Sequence, residues 1–140
     1  MYKLLLVDDE NGQLTALEYI LNQLRPEYEV YTATDGQEAL EVLASNKIDI
    51  LFTDIRMPIV DGLQLVEKLF KRSMQLKAVI ISGYDEFEYA QKAIRYGVKD
   101  YLVKPVSKSD LKNVLCKIEN ILEEERNVKV QVEELKKKAR

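Results

Sequence analysis

The sequence predicts an α/β fold in which a doubly wound, five-stranded parallel sheet is covered by helices on both faces. Short apolar or β-rich segments alternate strictly with segments of helical periodicity, five of each along the chain. The 140 residues, 46% of them hydrophobic, suit one domain with one buried core. Right-handed crossovers between parallel strands then distribute the helices over both faces.

The first half of the chain contains three predicted strands separated by two predicted helices. Residues 4–7 form a continuous apolar run of the kind that is buried on both faces, and residues 28–33 and 48–53 form the next two strands. The first helix is predicted by leucines at spacings of 3, 4 and 3, followed by a proline: Leu14, Leu17, Leu21, Leu24 and Pro26. Asp35 is placed to cap the second helix.

The second half adds two strands and three helices. Gly62 precedes the third helix, in which apolar residues recur with helical spacing, and residues 78–81 form the fourth strand. The fourth helix is predicted by one apolar face and ends at a glycine: Phe87, Ala90, Ala93, Ile94 and Gly97. Residues 101–103 form the fifth strand, and a capping box of Ser107 and Asp110 begins the last helix.

The last helix extends past the point where a compact domain would end. Its apolar residues follow a heptad pattern that is broken only by Glu125: Leu111, Val114, Ile118, Ile121, Val128, Val132 and Leu135. We therefore divide the chain into a domain of residues 1–122 and a helical extension of residues 123–140. The extension is either a coiled coil or docking helix, or a frayed, solvated tail, because it spans only about two heptads.

Composition excludes several classes of function. The net charge of −3 argues against this segment alone binding a nucleic-acid backbone, and the absence of histidine excludes His-based catalysis and His metal ligands. The single cysteine, Cys116, excludes an internal disulfide, and its place on the apolar side of the last helix predicts a buried, inert thiol. No apolar run is long enough for a membrane span or a signal peptide, so we expect a soluble cytoplasmic domain.

Carboxylates follow two of the predicted strands at their carboxyl ends. Asp8 and Asp9 follow the first strand, and Asp54 follows the third. If these strands are neighbours, as in the order 2-1-3-4-5, the three side chains converge at one edge of the sheet. Clustered carboxylates raise one another's pKa values, and a divalent cation relieves this; a set of oxygen ligands suits Mg²⁺ or Mn²⁺ better than zinc. The cluster therefore predicts a site that brings a phosphoryl group to a carboxylate.

Two further polar residues end strands at the same edge. Lys104 ends the fifth strand, and its ammonium can pair with a carboxylate or a phosphoryl oxygen. Ser82 ends the fourth strand and offers a hydroxyl to the same space. Each of these side chains alone could be a helix cap or a turn residue. The prediction therefore depends on five polar residues occurring together at strand ends: Asp8, Asp9, Asp54, Ser82 and Lys104.

These motifs resemble the receiver domain of two-component response regulators. The resemblance covers residues 3–120 and is carried by five segments: VDDE at 7–10, TDIRMP at 53–58, DG at 61–62, ISG at 81–83 and DYLVKP at 100–105. It implies the flavodoxin-like (CheY-like) fold with strand order 2-1-3-4-5. Residues 82–90 also resemble the subgroup whose full-length members end in an AraC-type helix-turn-helix DNA-binding domain.

The resemblance implies that Asp54 accepts a phosphoryl group from a phosphohistidine on a partner histidine kinase. It implies that Asp8, Asp9 and Asp54 hold Mg²⁺ together with the backbone carbonyl of Arg56. The chain would then not be an enzyme, apart from slow loss of its own phosphoryl group.

The resemblance also implies roles near the phosphoryl group. Lys104 and Ser82 would bind phosphoryl oxygens, and movement of Ser82 would free space for the ring of Tyr101 to turn inward. The alternative for Tyr101 is simple packing at the sheet edge. The Lys104–Pro105 peptide is expected to be cis, as in the family.

Two positions are expected to set the lifetime of the phosphorylated state. Arg56 and Tyr84 stand where family side chains shield the acyl phosphate from water, which implies a long-lived state. Phosphorylation is further expected to favour a homodimer, through the face formed by the fourth and fifth helices, through the extension, or both. DNA binding would need a C-terminal domain that this segment lacks.

Other functions remain as alternatives. A haloacid-dehalogenase-like phosphohydrolase would use an aspartyl nucleophile with Mg²⁺, but that family needs an acid two residues after the nucleophile, where this chain has Arg56. A stand-alone receiver, or a pseudo-receiver that only binds a partner protein, is the second alternative. The complete set of acids, lysine and serine argues against a pseudo-receiver.

Overall fold

The computed structural model describes residues 1–139, and of Tyr84 the backbone alone. Strands and helices alternate along the chain: β1 (Lys3–Val7), α1 (Asn11–Leu24), β2 (Glu29–Ala33), α2 (Gly36–Ser45), β3 (Ile50–Asp54), α3 (Gly62–Lys71), β4 (Lys77–Ser82), α4 (Phe87–Lys92), β5 (Asp100–Val103) and α5 (Lys108–Lys138). Short 3₁₀ segments, Tyr84–Glu86 and Ala93–Tyr96, flank α4. The strands are parallel in the order β2-β1-β3-β4-β5, which confirms the predicted doubly wound fold and its strand order.

The sheet is covered on both faces because successive strand residues point to opposite sides. Leu4 and Leu6 of β1 pack with residues of α1 and α5, whereas Leu5 and Val7 pack with residues of α2, α3 and α4. The inner strands β1, β3 and β4 are buried over nearly their whole length. Burial on both faces explains why these strands are continuous apolar runs in the sequence.

Side-chain caps fix where two of the helices begin. The carboxylate of Asp35 accepts a hydrogen bond of 2.7 Å from the backbone N–H of Glu38 at the start of α2. The hydroxyl of Ser107 accepts one of 3.0 Å from the backbone N–H of Asp110 at the start of α5. Asp35 and Ser107 are thereby confirmed as cap residues. Of the capping box predicted for Ser107 and Asp110, only this first bond is present among the described residues.

The predicted apolar face of the fourth helix is only partly correct. Ala90 and Ala93 are buried, but Phe87 and Ile94 are exposed. The α-helix covers only Phe87–Lys92, and the chain continues as a 3₁₀ segment. Because a 3₁₀ segment has about 3.0 residues per turn instead of 3.6, it rotates later side chains away from the α-helical face.

The prediction of a buried Cys116 is wrong, because its thiol is exposed. The buried face of α5 is formed by Leu111, Val114, Leu115 and Ile118. Cys116 follows Leu115 by one residue, which places it about 100° around the helix from that face. The guanidinium Nη2 of Arg25 instead lies 3.5 Å from its Sγ.

The helix α5 is 31 residues long and continues beyond the sheet. Residues 123–139 are all exposed. Two contacts hold the start of this segment to the domain: Tyr2 donates its hydroxyl to Glu123 at 2.6 Å, and the ammonium of Lys77 pairs with Glu125 at 2.6 Å. The division of the chain at residue 122 stays a prediction, and Arg140 lies outside the described residues. Among the helices of residues 1–139, none combines the length and the apolar character that a membrane crossing requires.

Candidate metal and phosphoryl site

The carboxyl ends of four adjacent strands bring the predicted site residues together. In the register of the sheet, Val7 pairs with Thr53 and Ser82 pairs with Val103, so the residues that follow these pairs share one edge. The backbone N–H of Lys104 donates to the carbonyl of Ser82 at 2.8 Å, which fixes the end of β5 against the end of β4. The convergence expected from the strand order is therefore present.

Three carboxylates form the acidic part of the site. Asp8, Asp9 and Asp54 each have an oxygen within 4.8 Å of the others. Asp8 and Asp54 are only 1% and 5% exposed, whereas Asp9 is exposed. Burial raises the pKa of Asp8, although the backbone N–H of Glu10 and the charge of Lys104 oppose this. Such crowding of buried acids is unfavourable unless cations are close.

The ammonium of Lys104 supplies the cationic side chain of the cluster. Its Nζ donates to Oδ2 of Asp54 at 2.8 Å and lies 3.6 Å from Oδ2 of Asp8. Burial alone would lower the pKa of Lys104, but the hydrogen bond and the negative charges of Asp54 and Asp8 outweigh burial and raise it. One ammonium cannot balance three carboxylates, so the site has an excess of negative charge.

The excess charge and the donor atoms fit a hard divalent cation. Oδ2 of Asp8 is buried and has no hydrogen-bond partner among the described residues. Oxygen ligands with an uncompensated charge are the donors that Mg²⁺ and Mn²⁺ prefer. Asp8, Asp9 and Asp54 are therefore suited to hold such an ion.

The hydroxyl of Ser82 is the second unpaired polar group of the site. Ser82 is 1% exposed, and its Oγ has no hydrogen-bond partner among the described groups. The side chain lines a cavity of about 310 Å³ together with Gly83, Phe87 and Val103. A buried hydroxyl without a partner is unfavourable, so Ser82 offers an unused donor to this cavity among the described groups.

A glycine allows the helix α3 to begin directly against the end of β3. The backbone N–H of Gly62 donates to the carbonyl of Ile55 at 2.8 Å. A Cβ at position 62 would lie 2.8 Å from the Cα of Ile55 and would overlap the carbonyl oxygen of Asp54. Gly62 therefore helps to position Asp54, because any side chain would push the strand end away.

Two contacts that join the segment after β3 to the segment after β4 could not be predicted from the sequence. The guanidinium Nε of Arg56 lies 3.2 Å from Oε2 of Glu86, whose other oxygen accepts the N–H of Gly83 at 3.0 Å. Tyr89 donates its hydroxyl to Asp61 at 2.5 Å, and burial together with this bond raises the pKa of Tyr89 to about 12. These residues are far apart in sequence, so no local pattern could have indicated the pairs.

The remaining predicted residues lie around this edge. Tyr101 is 39% exposed, and its ring packs edge-on against Phe87 with a centroid distance of 5.7 Å. The Lys104–Pro105 peptide is cis. The side chain of Tyr84 lies outside the described part of the chain, so its predicted role has no structural counterpart here.

Comparison with known proteins places this chain in a family. Residues 4–116 match the response regulator receiver domain. The chain is 36% identical to the transcriptional regulatory protein YesN of Bacillus subtilis, over 89% of this chain and 33% of YesN. It is 33% identical to the transcriptional regulatory protein HptR of Staphylococcus aureus, over 91% of this chain and 50% of HptR. The chain thus spans a third to a half of the length of these curated relatives.

Solved structures show the same relationship. The receiver domain of AraT, a response regulator from Geobacillus stearothermophilus, superposes with a TM-score of 0.80 at 38% identity, over 89% of this chain and 98% of that one. NtrX from Brucella abortus gives a TM-score of 0.83 at 30% identity, over 91% of this chain and 29% of that one. This chain therefore belongs to the response regulator receiver domain family.

Proposed function

We propose that this receiver domain is switched by phosphorylation of Asp54 by a partner histidine kinase. The observation that supports this most strongly is the position of Asp54, which is buried at a strand end, lies within 4.8 Å of Asp8 and Asp9, and is bonded to Lys104 at 2.8 Å. In the transfer, a carboxylate oxygen of Asp54 forms a bond to phosphorus as the P–N bond of the phosphohistidine breaks. The electron pair of that bond stays on the imidazole nitrogen.

The residues of the site contribute mainly by position and charge. A bound Mg²⁺ ion, held by Asp8, Asp9, Asp54 and the backbone carbonyl of Arg56, would supply positive charge that offsets the phosphoryl oxygens. Lys104 neutralises a phosphoryl oxygen from the other side. The unpaired hydroxyl of Ser82 donates to another.

A groove beside Lys104 supports docking of the kinase. The groove has a volume of about 450 Å³ and a mainly apolar lining, formed by Ala16, Leu17, Ile20, Ile81, Pro105 and Val106 with the polar Gln13 and Lys104. An apolar groove between a helix and a loop accommodates an amphipathic helix of a partner. Its place next to Lys104 would bring a histidine on that helix toward Asp54.

The switch would act on the face formed by α4, β5 and α5. Three apolar residues are exposed there: Phe87, Tyr101 and Val103. When Ser82 bonds a phosphoryl oxygen, the space that it leaves admits the ring of Tyr101, and the changed face favours a homodimer. Arg56 and Tyr84 would then set the lifetime of the phosphorylated state by limiting access of water.

The output that we propose is control of transcription. YesN and HptR are transcriptional regulatory proteins of which this chain matches only a part. By that likeness, and by the resemblance of residues 82–90, the output domain would be an AraC-type DNA-binding domain. The alternative is a stand-alone receiver that acts by binding proteins. A haloacid-dehalogenase-like phosphohydrolase is less favoured, because Arg56 stands where that family needs an acid.

Intact-mass spectrometry after incubation with acetyl phosphate and Mg²⁺ tests the proposal. We expect wild type to gain one phosphoryl group and Asp54→Asn to gain none. Asp110→Asn is the matched control, because Asp110 is an exposed aspartate on α5 that does not belong to the cluster of Asp8, Asp9 and Asp54; it should behave as wild type. Equal labelling of wild type and Asp54→Asn would exclude Asp54 as the acceptor, and no labelling of wild type would support the pseudo-receiver.

A further inference from the structure

Glu86 joins two segments that follow strands of the site, and it has no part in the function proposed above. Its Oε1 accepts the backbone N–H of Gly83 at 3.0 Å, and its Oε2 lies 3.2 Å from Nε of Arg56. Gly83 directly follows Ser82, and Arg56 follows Asp54 by two residues. One carboxylate therefore connects the residue after Ser82 with a residue close in sequence to the proposed phosphoacceptor. We call this connection the Glu86 bridge.

The Glu86 bridge crosses the ends of two adjacent strands. Asp54 of β3 pairs with Ile81 of β4 in the register of the sheet. Arg56 and Gly83 each follow that pair by two residues, since 56 − 54 = 2 and 83 − 81 = 2. The bridge therefore spans the edge of the sheet at which Asp54 ends β3.

Glu86 is the fixed member of the ion pair with Arg56. The side chain of Glu86 is only 13% exposed, whereas that of Arg56 is 67% exposed. The backbone N–H of Glu86 also donates to the carbonyl of Gly83 at 3.1 Å, so two hydrogen bonds in opposite directions hold these two residues together. An exposed arginine has many conformations in water, and a fixed carboxylate restricts them.

The absence of a side chain at position 83 allows the carboxylate to close on the backbone. A Cβ at Gly83 would lie 2.8 Å from Oε1 of Glu86, which is shorter than a van der Waals contact. The other oxygen, Oε2, is buried and accepts no hydrogen bond among the described residues, so its contact with Arg56 is an ion pair without hydrogen-bond geometry. A buried carboxylate oxygen without a donor is unfavourable, and the nearby guanidinium charge offsets this.

A second contact joins the same two segments without Glu86. Tyr89 donates its hydroxyl to Asp61 at 2.5 Å. A cavity of about 410 Å³ is lined by Arg56, Met57, Asp61 and Tyr89. Because the Tyr89–Asp61 bond remains when Glu86 is replaced, the two segments should stay together, and only the guanidinium of Arg56 should become free to leave for solvent.

We infer that Glu86 is a positioning residue, which holds Arg56 across the ends of β3 and β4 and thereby slows hydrolysis of phosphorylated Asp54. The inference rests on the proposed function, in which Arg56 limits access of water to the acyl phosphate. In this hydrolysis, a water oxygen forms a bond to phosphorus as the bond between phosphorus and the Asp54 oxygen breaks. The electron pair stays on the carboxylate, and the phosphoryl group leaves as dihydrogen phosphate.

The lifetime of the phosphorylated protein tests this inference. Its decay is followed by intact-mass spectrometry after acetyl phosphate has been removed. Glu86→Gln keeps an oxygen for the N–H of Gly83 but removes the charge that holds Arg56, so it should lose the phosphoryl group about threefold faster than wild type, a factor typical of a partly exposed ion pair. Glu88→Gln is the matched control, because Glu88 is an exposed glutamate of α4 with the same charge change; it should behave as wild type. Equal rates for Glu86→Gln and wild type would overturn the inference.

A double variant shows whether Glu86 acts through Arg56. Arg56→Ala should also speed loss of the phosphoryl group, and Glu86→Gln added to it should have no further effect, because the carboxylate then has no guanidinium to hold. If the two effects multiply, Glu86 acts independently of Arg56 and the inference is wrong. A merely structural contribution of Glu86 would lower the urea midpoint and leave the rate of hydrolysis unchanged, which also contradicts it.

Amide hydrogen exchange in the unphosphorylated protein tests the geometry of the bridge by itself. Glu86→Ala removes the acceptor of the Gly83 N–H, so exchange at Gly83 should become at least about tenfold faster, whereas Glu86→Gln should stay closer to wild type. Unchanged exchange in Glu86→Ala would show that the carboxylate does not hold this segment, against the inference. If wild type takes up no phosphoryl group, the proposed function fails and this inference with it. A labelled wild type whose lifetime does not depend on Glu86 contradicts the role of Glu86 alone.

Discussion

The unpaired hydroxyl of Ser82 leads to a prediction with an unusual sign. We expect Ser82→Ala to leave the unphosphorylated protein as stable as wild type, or to stabilise it by about 1 kcal/mol. Ser82 is 1% exposed, and its Oγ has no described partner, so alanine removes an unsatisfied polar atom and keeps the Cβ that fills the space. An unsatisfied buried hydroxyl costs about 1–3 kcal/mol, and the small void left by alanine offsets part of that gain.

Thr53 provides the matched comparison on the adjacent strand. It is fully buried, and its hydroxyl donates to the carbonyl of Asp54 at 3.0 Å. Thr53→Val replaces a satisfied hydroxyl by a methyl group and should cost about 1 kcal/mol. Both variants delete one buried hydroxyl at the end of an inner strand. The difference between them therefore reports whether that hydroxyl was hydrogen-bonded, reduced by the small void that alanine leaves at position 82.

Urea denaturation followed by circular dichroism measures both variants. A difference of about 2 kcal/mol between their free energies of unfolding corresponds to a difference of about 1 M between their urea midpoints, at the urea dependence of the unfolding free energy that is typical of a domain of this size. In acetyl phosphate and Mg²⁺, the Ser82→Ala variant should lose the stabilisation that a bond to the phosphoryl group gives wild type. If Ser82→Ala is destabilised as much as Thr53→Val in the unphosphorylated protein, the inference that Ser82 awaits an external acceptor is refuted.

Three further predictions concern metal, pH and backbone. Mg²⁺ at ten times its dissociation constant should stabilise wild type by about 1.4 kcal/mol, and Asp8→Asn should reduce this effect in thermal melts; an unchanged effect would place the ion elsewhere. Hydrogen bonds from Arg25 lower the pKa of Glu119 despite burial. Glu119 therefore contributes its full stabilisation above the pKa of an ordinary glutamate, and this stabilisation is lost as the pH falls through the lowered pKa of Glu119. The stability advantage of wild type over Glu119→Gln should therefore shrink as urea denaturation is repeated at lower pH, and a constant difference would argue against this bond. Gly62→Ala should destabilise the protein by about 3 kcal/mol and slow phosphoryl transfer, because its Cβ would displace the backbone at Asp54; normal stability would show that α3 can shift freely.

Much of the fold follows from local pattern. Residues 4–7 form a continuous apolar run because both faces of β1 are covered, and strict alternation of such runs with helical segments leaves few topologies. Asp35 and Ser107 were identifiable as caps because their side chains bond backbone groups three residues away. These signals are short-range, so the sequence contains them directly.

Other features depend on geometry that a linear pattern does not contain. The 3₁₀ segment after α4 turns Ile94 outward. Cys116 follows the buried Leu115 by one residue, and this is enough to expose its side chain on a helix whose other face is buried. In the site, the acids at strand ends could be predicted to converge, since parallel strands end at one edge. The ion pair of Arg56 with Glu86 could not, because it joins two loops that meet only in the folded chain.

The most direct test of the central claim is to map the phosphoryl group on the wild-type chain. After incubation with acetyl phosphate and Mg²⁺, borohydride reduces an acyl phosphate to an alcohol and leaves free carboxylates unchanged, so peptide mass spectrometry identifies the modified residue. We predict reduction at position 54 alone, and only when Mg²⁺ is present. Reduction at Asp8 or Asp9, or labelling that is independent of Mg²⁺, would contradict the account.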